Sequence, residues 1–193
     1  MTATLQRRYS GNYSVYAAVT WSEDRDNDSN ERNFSGIQAE DFNDLDTMWG
    51  YSNRDQRWKG VISGLWSSPY WGLNLSGAFR YTTGSPINPT AGVDLNNDGI
   101  RETDRPTING VHLERNSFRQ PDTYSLDLRV GKDFDLGPGQ LGAFIECFNC
   151  TDASNRFVTN NVYGVGPAPA ATFGVESGVG TPRTFQLALR YDF

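Results

Sequence analysis

Thr184-Phe185-Gln186-Leu187-Ala188-Leu189-Arg190-Tyr191-Asp192-Phe193 closes the chain, and its reading decides the fold. The odd positions are Phe, Leu, Leu, Tyr and Phe; the even positions are Thr, Gln, Ala, Arg and Asp. Successive side chains on a β-strand point to opposite faces, so strict alternation marks a strand with two unlike sides. One side of this strand suits an apolar medium and the other suits water.

Five more stretches carry the same period. In 12–22, Tyr13, Val15, Ala17, Val19 and Trp21 share a face. In 57–66, Trp58, Ile62 and Trp66 do so, and in 71–82, Trp71, Leu73, Leu75, Phe79 and Tyr81. In 123–135 the set is Tyr124, Leu126, Leu128, Val130 and Phe134, and in 140–148 it is Leu141, Ala143, Ile145 and Cys147. A soluble sandwich has this period too, and aromatic placement separates the two. Tyr13 and Trp21, Trp58 and Trp66, Trp71 and Phe79, and Phe185 and Phe193 are each eight residues apart on one face. Eight strand residues span about 26 Å, close to the apolar band of about 25 Å that aromatic girdles flank in a transmembrane β-barrel.

The connections point the same way. Residues 23–56, 83–122 and 149–183 form long loops, and they alternate with the short turns 67–70 and 136–140. Outer-membrane barrels have long extracellular loops and short periplasmic turns. The expected polar face carries Arg80, Asp127, Arg129, Glu146 and Arg190, which suit a watery or plugged lumen better than a dry core. Lys132 breaks the pattern, since parity puts it on the apolar face near the periplasmic end, from where it can snorkel.

Composition agrees. The 193 residues suffice for one domain, with 13% aromatics and 20 Gly, as suits β structure with many turns. Mean hydropathy is -0.59, and no run of about 18 apolar residues exists to make a transmembrane helix. A net charge of -6 argues against a nucleic-acid partner. The opening residues Met1 to Arg8 hold no apolar stretch of a secretory signal. Six strands are fewer than the usual minimum of about eight for a membrane barrel. The expected fold is therefore all-β: an antiparallel transmembrane β-barrel segment of about six C-terminal strands from a larger barrel, or a chain that completes a barrel by association.

Several stretches resemble one family. They are Leu5 through Ser14 with Thr20-Trp21-Ser22; Tyr51-Ser52-Asn53-Arg54-Asp55-Gln56-Arg57-Trp58-Lys59; Ser76-Gly77-Ala78-Phe79 through Gly84-Ser85-Pro86-Ile87-Asn88-Pro89; the loop 94–106; Glu146-Cys147-Phe148-Asn149; and the terminal strand. Together they resemble the C-terminal part of TonB-dependent outer-membrane receptors of the Oar-like group, which carry a carboxypeptidase-regulatory-like N-terminal domain. Trp58 and Lys59 depart slightly from that group's pattern. The terminal strand also resembles the assembly signal of outer-membrane barrels, here Phe185, Leu187, Leu189, Tyr191 and Phe193. The resemblance implies a plugged barrel of about 22 strands in the cell outer membrane, and uptake of a ligand that the sequence does not identify. It implies four partners: the lipid bilayer, the barrel-assembly machinery, that ligand, and an energy-coupling TonB complex acting on an N-terminal plug that this sequence lacks. A small self-contained or oligomeric outer-membrane barrel, serving as pore or adhesin, is the alternative. A soluble β-sandwich binding module is a third reading.

Asp94, Asn96, Asp98 and Gly99 form a D-x-N-x-D-G pattern. Alternate oxygens with Gly at position six wrap a hard cation such as calcium, as in the first half of an EF-hand loop. Ile100 would add a backbone carbonyl. Position twelve is Arg105 rather than Glu, so Asp104 or Glu102 would have to close the shell. An Asn/Asp/Gly-rich surface turn is the equal alternative, and no other cofactor is expected.

The remaining features are weaker. Cys147 and Cys150 have the spacing of a redox pair or half a metal site, against which stand two plain thiols or a local disulfide. Asp24, Asp26 and Asp28, and likewise Asp41, Asp44 and Asp46, read as a solvated acidic face. His112, the one histidine, stands beside no nucleophile, and no enzymatic constellation is present, so no enzyme is expected. Trp49, Tyr51, Phe34 and Phe42 either stack on a ligand such as a sugar or pack the loop on itself, and the latter is favoured.

Overall fold

A computed structural model describes residues 1–27, 39–41 and 43–193. Seven strands form its main sheet: β1 (Thr2–Ser10), β2 (Tyr13–Trp21), β3 (Trp58–Ser67), β4 (Leu73–Thr82), β5 (Thr123–Leu136), β6 (Gly139–Phe148) and β7 (Thr184–Asp192). They lie side by side in chain order, and every neighbouring pair is antiparallel. Sequence alternation marks six of them, and β1 is the addition. Its period is broken by Arg7, which falls in line with Ala3 and Leu5. The structure accommodates this residue by laying its guanidinium over the Tyr13 ring, 4.1 Å from the centroid.

The short turns dictate the hairpins. Gly11 and Asn12 have φ of +60° and +72°, the pair of left-handed residues that a two-residue hairpin matched to strand twist requires. Between β5 and β6, Gly137 takes φ +60° ahead of Pro138, again a turn with glycine at its first central position.

Register aligns the faces across the sheet. One row runs Val15, Gly64, Gly77, Leu128, Cys147 and Phe185 from β2 to β7; the next runs Tyr13, Trp66, Leu75, Val130, Ile145 and Leu187. Between them, on the opposite face, lies Ser14, Leu65, Ser76, Arg129, Glu146 and Gln186. The apolar side chains are open to the surroundings: Phe185 is 68% exposed, Leu187 80% and Leu189 75%. A contiguous apolar surface of this extent needs a covering medium. Lys132 lies on this face, paired with Leu73 and Ala143, its Nζ 5.3 Å from the Phe134 ring centroid.

Among the described residues the buried apolar side chains are Met48, Ile87, Pro89, Ala91, Pro106, Ala153, Val158 and Tyr163. All of them lie in the three long connections, which follow β2, β4 and β6 and so sit together at one end of the sheet. The short turns and Phe193 occupy the other end. Within each connection a small strand pair forms: Arg25–Asp26 with Gly50–Tyr51, Pro86–Ile87 with Phe118–Arg119, and Phe157–Val158 with Glu176–Gly178.

Candidate functional site

Two surfaces are built for interaction: the polar face of the sheet and the cap made by the connections. The polar face carries an open groove of about 650 Å³, lined from Gln6 on β1 to Phe148 on β6 and including Asp127, Arg129 and Glu146. A pocket shared by side chains of six strands means that this face is the concave one. Two of its ion pairs cross between strands and a third lies within β7. Arg80 Nη1 donates to Asp127 at 2.6 Å, and Arg129 stands 3.5 Å from Glu146, its direct register partner. Arg129 also lies 4.0 Å over the Phe144 ring. Arg190 reaches Asp192 at 2.8 Å. The pairing relieves the cost of unmatched charge in a partly enclosed space.

The cap is held by buried polar residues. Arg105, 1% exposed, donates through Nε to Glu40 at 2.7 Å and through its other nitrogens to the carbonyls of Leu113 and Thr47. Arg115 pairs with Asp26. Asn116 donates to the Tyr51 carbonyl at 2.5 Å and to Asn53 at 2.7 Å. Asp55 accepts from the Asp24 N–H at 2.8 Å, from Arg119 at 2.5 Å and from Arg57 at 3.3 Å. The Tyr51 ring is faced by the guanidinium groups of Arg25, Arg57 and Arg119 at 4.2, 4.7 and 4.7 Å from its centroid. These contacts join the first connection to the second. The second is tied to the third by Gln120, which both donates to and accepts from the Val158 backbone, and by the rings of Phe118, Tyr163 and Phe173.

The aromatic residues singled out in the first loop divide. Tyr51 is packed into the cap. Trp49 is 57% exposed and lines a cleft of about 250 Å³ with Arg25, His112 and Glu114. Phe34 and Phe42, like Asp28, lie outside the described residues. His112 is engaged by Glu40 at 3.1 Å and by the Thr107 hydroxyl at 3.2 Å. The acidic residues are not uniformly solvated, since Asp26 closes on a nearly buried arginine. Cys147 and Cys150 form a disulfide where β6 ends, with Cα atoms 5.5 Å apart.

In the 94–104 loop the side-chain oxygens turn to the loop's own backbone. Asp94 accepts from the Gly99 N–H at 2.9 Å, Asn96 from Asp98 at 3.0 Å, and Asp98 from Ile100 at 2.7 Å. The Ile100 carbonyl accepts from the Thr103 hydroxyl at 2.9 Å. Asp104 is buried and accepts from the Leu95 N–H. Among the described residues no three His, Cys, Asp or Glu side chains stand close enough together to hold a metal ion. Glu102 is exposed and paired with Arg101, whose hydrogen bond holds its carboxyl below the usual range. At the terminal strand, Phe185, Leu187, Leu189 and Tyr191 share the apolar face, and their register partners on β6 are Cys147, Ile145, Ala143 and Leu141.

The buried polar set of the cap escaped sequence reading. Arg105, Asn116 and Asp55 stand in stretches without periodicity, and only the density of Asp, Asn and Arg in them hinted at a network.

Residues 1–114 match the model of a family described as an outer membrane beta barrel domain. No curated protein matches this chain. The chain belongs to that barrel family. It resides in the outer membrane, and the apolar face of its sheet is the surface that meets the lipid bilayer.

Proposed function

We propose that this outer-membrane barrel chain is the C-terminal arc of a TonB-dependent receptor of the Oar-like kind, and that it serves uptake of a ligand rather than catalysis. The observation that carries the reading is the open sheet. Among the described residues β1 pairs only with β2 and β7 only with β6, so further strands are needed to close a barrel, because backbone groups in lipid must be satisfied internally. The concave face, lined with paired charges, suits contact with a hydrated plug. In this reading the long connections face outward and the short turns face the periplasm. The terminal strand then presents Phe185, Leu187, Leu189, Tyr191 and Phe193 to the barrel-assembly machinery.

The test is made on the full-length gene product. It should carry a plug domain ahead of these residues and bind the periplasmic domain of the energy-transducing TonB protein in a pull-down. A barrel without a plug, closed by several copies of this chain and indifferent to TonB, would instead establish the self-contained pore or adhesin.

A further inference from the structure

We propose that the apolar face of the sheet holds an anionic phospholipid, with an acyl chain in a groove over Gly64 and Gly77 and the phosphate on Arg7. An open groove of about 550 Å³ crosses from β2 to β5 on this face. Gly64 and Gly77 are direct register partners, set between Val15 and Leu128, so two neighbouring positions of that row carry no side chain. The adjoining row, Tyr13, Trp66 and Leu75, rises beside them as one wall. Leu128 leans over from the far side, its Cδ2 2.9 Å from where a Cβ on Gly77 would stand. The side chains that line the groove on this face are all apolar or aromatic, and lipid is the medium that meets them.

Arg7 supplies the polar end. It is the register partner of Val15, so its Cβ leaves the sheet on the apolar face beside the groove. A cation is costly there at depth and cheap near the membrane edge. The side chain runs along β1 toward the hairpin turn. Its Nη2 donates to the Ser10 carbonyl at 3.3 Å, and a Cβ on Gly11 would stand 3.8 Å from that nitrogen. On the way the guanidinium covers the ring of Tyr13, which belongs to the groove wall. A long basic side chain brings its charge to the membrane edge in this manner. Among the described residues no carboxylate pairs with it. A guanidinium matches a phosphate through two parallel N–H bonds. The occupant follows from the two ends together, since an apolar groove that ends at a cation on the membrane edge fits the tail and the headgroup of one phospholipid. With the short turns toward the periplasm, as proposed above, the lipid belongs to the periplasmic leaflet. The site itself requires only that the apolar face meets the bilayer.

The test uses the full-length protein, delipidated in detergent, mixed with phosphatidylglycerol or phosphatidylcholine and read by native mass spectrometry. Wild type is expected to retain phosphatidylglycerol in preference to phosphatidylcholine. Arg7→Gln should lower phosphatidylglycerol retention about fivefold, the attraction of one basic side chain for an anionic headgroup, and erase the preference. Gly64→Leu fills the groove and should lower retention of both lipids. Lys132→Gln removes a cation from the same face outside the groove and should change neither. Arg7 is exposed, so its variant keeps the fold, and heat-modifiable migration on a gel confirms this for each variant. In cells, a photo-crosslinker in place of Leu75 should capture phospholipid. Equal retention of the two lipids by wild type, retention unchanged in Arg7→Gln or in folded Gly64→Leu, a loss as large in Lys132→Gln, or a crosslink from that position to a second copy or another protein would each overturn the site. None of these readouts involves a plug or TonB, so failure of the uptake reading leaves them intact.

Discussion

Asp55 shows what a single residue does in the cap. Its side chain is fully buried. Burial pushes the carboxyl up, yet the Arg119 hydrogen bond, the Asp24 N–H and Arg57 outweigh it and hold it below the usual carboxylate range. A group lowered in the folded state contributes stability that is present above its unfolded pKa, about 4, and is lost as pH falls through the folded value. Hydrogen exchange in residues 43–57 and 83–122 should therefore be equally slow at pH 7 and about pH 5.5 after correction for intrinsic rates, and should accelerate below about pH 4. Asp55→Ala removes the shared acceptor and leaves Arg119 without its carboxylate, while Arg57 keeps Glu23 at 3.3 Å. Breaking a buried pair costs about 3–5 kcal/mol, and the partial exposure of Arg119 places this case near about 3. The same exchange experiment at pH 7 reads that loss as local opening of the cap with the strands unchanged. Gly84 is a steric counterpart. A Cβ there would overlap the Gln120 carbonyl, so Gly84→Ala should also loosen the second connection.

At the scale of elements, the strands were legible because lipid on one side and water on the other impose a period that each strand must keep by itself. β2 through β7 all declare it. β1 does not, since Arg7 occupies an apolar position, where its guanidinium lies over the Tyr13 ring of the next strand and donates to the Ser10 carbonyl. The cap was opaque for the opposite reason: its side chains are chosen by partners dozens of residues away, such as Arg119 by Asp55, and no local pattern records that. The faces of β7 make a direct comparison. Leu187→Arg puts a charge on the lipid face near the middle of the strand and should cost about 2–4 kcal/mol in urea titration of the folded full-length barrel. Ala188→Arg, one residue on and paired with Phe144 on the concave face, should cost far less. Equal losses would mean that the faces are assigned wrongly. Deleting Phe193 should reduce the heat-modifiable, assembled fraction of the full-length protein in the outer membrane, through a step that precedes folding. An unchanged fraction would remove that residue from the assembly signal.

For the whole molecule, the decisive property is that seven strands in a row leave two edges. Each edge presents a line of N–H and C=O groups that water can satisfy and lipid cannot. The isolated chain in detergent should therefore associate or aggregate instead of giving a monodisperse monomer, and size-exclusion chromatography with light scattering checks this. A stable, protease-resistant monomer would show that the seven strands close on themselves.

The three connections share one interior, with the second wedged between the others through Arg105 and Arg119 on one side and Phe118 and Gln120 on the other. They should therefore be exchangeable only as a set. A chimera that takes one loop from a relative would import side chains whose partners stayed behind, whereas one that takes all three would carry its own interior with it. Under the proposed uptake function, ligand preference would change on such a scaffold only by concerted replacement or by substitutions on the outer skin of the cap, where Trp49 stands.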